Sequence, residues 1–257
     1  MKVVILAGGL GSRLSEETSL RPKPMVDIGE MPILWHILKI YSFYGFNDFI
    51  ICLGYKGYII KEYFYNYFLH KSDVTIDLKK NKVDFHKSES ENWKITLVDT
   101  GKDTMTGGRI KRIKDYVGGG SFMLTYGDGV SDIDISALYN NHIKSKKICT
   151  VTAVPPPGRF GALKINDHGI VTSFEEKTEG KNILINGGFF ICENEVFNYI
   201  ENDDTIFEKE PLENLSNDGQ LNSYKHNGFW MPMDTLRDKN KLSKLWAQNE
   251  APWKLWP

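Results

Sequence analysis

At 257 residues the chain is long enough to bury a full core, as one large α/β domain or as a domain with a smaller appendage. Its 32 basic and 33 acidic residues nearly cancel, so no whole-protein field recruits nucleic acid or an anionic membrane, and any anion site must be local. No apolar run reaches membrane-spanning length and no charged, apolar leader precedes the first strand-like run, which predicts a cytoplasmic protein.

The apolar run Val3 to Leu6 feeds Gly8, Gly9 and Gly11, and the polar stretch beyond carries Arg13 and Lys23. A buried strand entering a glycine-rich turn brings backbone N–H groups close to a bound anion, because glycine has no Cβ to hold the ligand away. Two named loops fail to match. A dinucleotide fingerprint counted from Gly9 and Gly11 needs a small residue where Leu14 stands, and a P-loop needs Lys then Ser or Thr where Ser12 and Arg13 follow Gly11. What remains is a phosphate-handling turn with one cation just past it. A second cation, Lys23, is stiffened between Pro22 and Pro24.

After Pro32, ILWHILKIYSFYG predicts a helix with proline in its first turn, an apolar face of Ile33, Ile37, Leu38 and Tyr41, and a stop at Gly45. His36 within it reads as a packing residue. Asp48 to Leu53 is a second strand, and Lys56 to Leu69 a second helix whose Tyr and Phe stripe is expected to be core. This alternation calls for a mostly parallel sheet with helices on both faces, and ligands in such sheets sit outside the carboxyl ends of strands, where the opening turn lies. Strand-like pieces at Val74 to Asp77 and Trp93 to Val98 flank a charged stretch that reads as a solvated hairpin or an excursion from the sheet.

Thr106 is a candidate cap for a helix from Gly107 to Tyr116, which puts Arg109 near the positive helix end and leaves Lys111, Arg112 and Lys114 solvated. Ser121 to Tyr126 forms a strand ending in Gly127-Asp128-Gly129. A carboxylate there suits a hard cation such as Mg²⁺ beside a triphosphate, and an ordinary Asp-Gly turn fits equally well. A helix from Ile135 to Lys144 and a strand from Ile148 to Val154 follow.

From Pro155 the pattern changes to short strands that read as a sheet extension covering the ligand cleft. Glu176-Lys177 pairs an acceptor for hydroxyls with a cation, and Asn186-Gly187-Gly188 offers an amide with close backbone approach; a solvated edge and a hairpin turn are the bland alternatives. Phe197 to Glu201 and Pro211 to Leu215 look helical. Asp234 follows an apolar strand and precedes a helix in which Leu242, Leu245 and Trp246 share a face. Asp is a preferred cap at such a place, and a box made by Thr235 and Asp238 would free Asp234 for metal. Trp253 and Trp256 in the tail suggest docking onto this subunit or a neighbour. Cys52, Cys149 and Cys192 are far apart in apolar runs and read as small core residues.

The segments LAGGLGSRL and RPKPMVDIG resemble the signature of the sugar-1-phosphate nucleotidylyltransferases, with Ser12 where Thr is usual. The likeness continues through TGKDTMTGGRIKR, LTYGDGVSD, PPPGRFGALKI, INGGFF and GFWMPMDTLRDK, and is greatest to the glucose-1-phosphate cytidylyltransferase branch. The resemblance implies one nucleotidyltransferase domain over 1–257, Rossmann-like, with a nucleotide-binding half (1–154) and a β-rich sugar-binding half with the C-terminal helix (155–257). It implies a nucleotide site of Leu6, Ala7, Gly8, Gly9, Leu10, Gly11, Ser12, Arg13, Lys23, Thr104, Arg109 and Asp128. Catalysis would fall to Arg13, Lys23 and Asp128, sugar-phosphate binding to Glu176, Lys177, Asn186 and Gly187, and Mg²⁺ to Asp128 and Asp234. The substrates implied are CTP and glucose 1-phosphate in a homo-oligomer, with no nucleic-acid or membrane partner. The same chemistry with UTP or dTTP, and a non-catalytic sensing subunit, remain alternatives, since neither composition nor spacing reads the base.

Overall fold

A computed structural model describes residues 1–88, 90–156, 162–165, 171–175 and 183–257. Seven strands form the central sheet in the spatial order Leu221–Lys225, Cys149–Val154, Ile185–Cys192, Phe122–Tyr126, Lys2–Leu6, Asp48–Leu53, Lys94–Asp99. Every pairing is parallel except the two made by Ile185–Cys192, which runs antiparallel to both its neighbours. The expected mostly parallel sheet with helices on both faces is therefore present.

The near-continuous apolar strands follow from that burial. Val3, Ile5, Phe49, Ile51 and Met123 point to one face and join the helix Ile33–Phe43. Val4, Leu6, Ile50, Cys52 and Leu124 point to the other and meet Ile110, Ile113 and Val117. A strand covered on both sides has no polar alternation to display. The three cysteines are buried and free, with Cys149 and Cys192 facing each other across the antiparallel pair.

The helix after Pro32 spans Ile33–Phe43 with its predicted apolar face buried, and Pro32 caps it from outside rather than lying in its first turn. Trp253 and Trp256 dock onto this same subunit, around His36 and Trp35. Two expectations are corrected. The aromatic segment breaks at Asn66 into the helices Gly57–Tyr65 and Tyr67–His70 and is core only in part: Tyr63 and Phe64 pack half-buried against the core, but at the sheet edge only Gly57 and Ile60 are fully buried and Tyr65 is 89% exposed. The charged stretch folds as the expected hairpin, Ser72–Asp77 with Lys82–Ser88, and Lys94–Asp99 joins the main sheet as its edge strand. Lys111 and Arg112 are not merely solvated, because Lys111 Nζ donates to Ile200 O and Arg112 Nε to Asp203. Among the described residues no helix is long and apolar enough to cross a membrane.

Candidate functional site

Parallel strands leave their carboxyl ends at one rim, and loops from distant parts of the sequence converge there on a cleft of about 610 Å³. The glycine turn follows Lys2–Leu6, Gly127-Asp128-Gly129 follows Phe122–Tyr126, and Asn186 opens the antiparallel strand beside it. The cleft is lined by Leu6, Ala7, Gly8, Gly9, Gly11, Ser12, Arg13, Lys23, Thr104, Arg109, Asp128, Asn186, Gly187 and Asp234, all sequence-predicted. Leu10, predicted with them, is more than half exposed and lies outside that lining. Glu176 and Lys177 lie outside the described residues.

The centre of the site is a knot of opposite charges. Lys23 Nζ lies 2.6 Å from Asp128 Oδ2 and 2.8 Å from Asp234 Oδ1, and Arg13 lies 2.9 Å from the other oxygen of Asp234. These residues are separated by 105 and 211 positions, so only the sheet brings them together. The Lys23 side chain is buried (9% exposed) while that of Arg13 is 70% exposed. Burial disfavours the Lys23 charge, but the two carboxylates outweigh it and raise its pKa above the ordinary lysine value. The stiff segment serves this placement: Pro22 is extended (ψ 149°) and a 3₁₀ turn, Lys23–Met25, follows at once.

Asp234 is free of capping duty. The helix Leu236–Ala247 is capped by Thr235, whose side chain accepts from Asp238 N–H while the Asp238 carboxylate accepts from Thr235 N–H. Two carboxylates sharing one cation form a donor set of hard oxygens. Among the described residues no third His, Cys, Asp or Glu joins them, which suits Mg²⁺, an ion usually bound by one or two carboxylates with substrate phosphates completing its shell.

Arg109 is 5% exposed, and its guanidinium donates to the carbonyls of Gly8, Leu53, Gly101 and Lys102 and to the Thr100 hydroxyl. It ties the glycine turn to the ends of two neighbouring strands. A Cβ on Gly8 would fall 2.2 Å from that guanidinium, so glycine is required by close packing at this point. Thr106 is not the helix cap that its position suggested. The helix begins at Thr106 itself and runs to Arg112, with Lys114–Val117 as a separate turn, because the Thr106 hydroxyl is engaged elsewhere: it accepts from Phe207 N–H and donates to Glu208.

Glu208, Tyr126, Thr106 and Trp230 also line the cleft and were not singled out as site residues by sequence reasoning. Tyr126 OH donates to Glu208 Oε1 at 2.5 Å and accepts from Asn186 Nδ2 at 3.2 Å, and Trp230 Nε1 donates to Gly187 O at 2.6 Å. Tyr126 closes a strand pointing at the rim, which was a usable signal; Glu208, in a charged loop, carried none.

Residues 2–241 match the nucleotidyl transferase family. The chain is 57% identical, over all of both chains, to a glucose-1-phosphate cytidylyltransferase of Salmonella typhimurium. It is 46% identical, again over the full length of both, to a protein of Bacillus subtilis described as "Probable glucose-1-phosphate cytidylyltransferase". Among solved structures, HddC from Yersinia pseudotuberculosis shares the fold with a TM-score of 0.70 at 24% identity, over 95% of this chain and 99% of that one.

Proposed function

The chain belongs to the nucleotidyl transferase family, and we propose that the knot around Lys23 is the centre at which it transfers a cytidylyl group from CTP to glucose 1-phosphate, giving CDP-glucose and pyrophosphate. The observation that carries the site assignment is the meeting of Lys23 with both Asp128 and Asp234 in the cleft at the strand ends. Such a transfer needs little covalent help. It needs positioning and cancellation of charge, which a set of glycines, cations and carboxylates can supply without a nucleophilic side chain.

An oxygen of the sugar phosphate attacks the α-phosphorus; the bond from that phosphorus to the bridging oxygen breaks, and its electron pair leaves with pyrophosphate. Asp128 and Asp234 hold the metal, and Mg²⁺ when bound draws charge from the phosphates. Lys23 neutralises charge growing on the α-phosphate, and Arg13, exposed at the mouth, covers the departing β and γ phosphates. The turn from Leu6 to Ser12 and Thr104 form the nucleotide wall. Arg109 serves that wall by fixing its carbonyls rather than by offering a free guanidinium edge. Glu176, Lys177, Asn186 and Gly187 hold the sugar phosphate. We extend the reading to a cytoplasmic protein and to a homo-oligomer, the latter supported by the exposed apolar side chains Ile76, Leu78, Val83 and Phe85 on the hairpin, and light scattering checks the oligomer.

Pyrophosphate release with glucose 1-phosphate and each nucleoside triphosphate in turn tests the reading. Release with CTP is expected. Preference for UTP or dTTP overturns the base assignment, and release with none of them favours a sensing role.

A further inference from the structure

Among the described residues Glu208 forms no hydrogen bond or ion pair with the glycine turn or the charged knot, yet both its oxygens are directed by hydroxyls on the cleft wall. We infer that Glu208 is a positioning residue for the sugar-phosphate end of the cleft: through the Tyr126 hydroxyl it fixes which way the Asn186 carboxamide faces. The inference rests on the nucleotidyl transfer proposed above.

The bond directions follow from what each group can do. An ionised carboxylate only accepts, so Tyr126 must donate its proton to Glu208 Oε1, which leaves the phenol oxygen to accept. That oxygen takes a hydrogen from Asn186, so the nitrogen end of the amide faces Tyr126. The other end agrees independently, because Gly188 N–H donates to Asn186 Oδ1 at 2.8 Å. Thr106, receiving Phe207 N–H, can turn its own proton to Glu208 Oε2 and hold the carboxylate from the second side.

The backbone makes this orientation matter. Opposite Cys149–Val154 the ladder passes from Phe190 to Asn186 while its partner advances only from Val151 to Ala153, so residues 187–189 bulge. The bulge leaves Asn186 exposed at the cleft rim, and its tightness is set by contact: a Cβ on Gly188 (φ 77°) would press 2.5 Å from the Tyr126 ring. With one amide hydrogen committed to Tyr126, the second is the donor left for a hydroxyl or phosphate oxygen of the sugar phosphate. Were the amide reversed, an acceptor would face those acceptors.

Glu208→Gln keeps the shape but adds a donor, so the Tyr126 bond can run either way and the amide loses one of its two restraints. The wild-type protein is assayed first by pyrophosphate release from CTP and glucose 1-phosphate; absence of release there sinks the proposed function itself. Given release, E208Q is expected to raise KM for glucose 1-phosphate about five- to tenfold, the size of one ordinary hydrogen bond, with KM for CTP and kcat changed less than about twofold. Tyr126→Phe should give the same split. The double variant should be no worse than Tyr126→Phe alone, because both cut one chain. An unchanged sugar-phosphate KM in either single variant overturns the inference, as does an equal rise in KM for CTP or an additive double variant. If E208Q fails to fold, Tyr126→Phe alone decides through the same KM comparison.

Discussion

Three adjacent strands, Phe122–Tyr126, Cys149–Val154 and Ile185–Cys192, carry polar clusters at both ends, and the two ends use their side chains in opposite ways. At the cleft end, Tyr126, Asp128 and Asn186 keep capacity for further bonds and face open space. At the far end His142 is 1% exposed: Nε2 lies 3.0 Å from Glu193, Nδ1 lies 2.8 Å from Thr150, Ser121 donates to Glu193 at 2.8 Å, and Asn222 donates to Thr150 at 3.2 Å. A histidine, a carboxylate and a hydroxyl there look like a reactive set on paper. Geometry assigns them to structure, since His142, Thr150, Glu193 and Ser121 all find hydrogen-bond partners inside the protein. Residue type does not separate a site from a brace; unfilled bonding capacity beside accessible space does.

The largest effect that tests this difference is expected at Lys23. Lys23→Met should lower kcat roughly 10²- to 10³-fold, about 3 to 4 kcal/mol, because it removes a fixed charge from the transition state. The loss of stability should be smaller, since Asp128 and Asp234 can take water from the cleft and Asp234 retains Arg13. The far end should respond in reverse. His142→Leu removes one partner each from Thr150 and the partly exposed Glu193, which keep Asn222 and Ser121, and sets an apolar group against them, at a cost of up to about 3 kcal/mol of stability. At 25 °C the surviving folded protein should keep its kcat and both KM values. Steady-state kinetics and thermal unfolding on the two variants check the contrast; an activity defect in His142→Leu with unaltered stability would show that the ends are coupled.

Much of this arrangement was legible in the sequence where the signal is local. The run Val3 to Leu6, the glycines after it and the Pro22-Lys23-Pro24 segment state a strand, a turn and a stiffened cation within two dozen residues, and the box of Thr235 and Asp238 is written in four. What could not be read depends on tertiary position. The Tyr and Phe stripe of residues 58–68 carries the pattern of a core helix, and only its place at the sheet edge leaves Tyr65 and Phe68 exposed. Arg109 was read as a cation for an anion, and the five oxygens around it come from Gly8, Leu53, Thr100, Gly101 and Lys102, which no periodicity brings together. Glu208 was silent for the same reason: a glutamate in FEKE looks solvated until Tyr126 and Thr106 are placed over it.

His36 sharpens the contrast as a second sealed polar residue, this time readable by pH. Its Nε2 meets Ile28 O at 3.0 Å, and Trp253 Nε1 donates to its Nδ1 at 3.3 Å, so the neutral ring is satisfied on both sides within a cage of Trp35, Trp246 and Trp253. Burial pushes its pKa down to about 4. Between pH 6.5 and 4 the unfolded chain takes up a proton that the folded chain refuses, so stability falls as pH falls through that window and is flat above it. The loss contributed by this one group should approach about 3 kcal/mol at pH 4. Denaturant unfolding of the wild type and of His36→Gln across pH 4 to 8 isolates it: the glutamine variant should be less stable throughout but lack this component of the acid slope.

The smallest expected effect is a null one, and it tests whether the sheet core is as closed as the far end requires. Cys52, Cys149 and Cys192 are each 0% exposed. Burial raises the Cys52 thiol to about 12 and lifts Cys192 as well, so almost no thiolate forms near neutrality. A thiol reagent at pH 8 should therefore label none of the three in the native protein within the time needed to label all three in denaturant. Rapid native labelling at Cys149 or Cys192 would mean that the strands open where His142 and Glu193 are supposed to hold them. Labelling confined to Cys52 would instead locate the opening beside Arg109, at the cleft end.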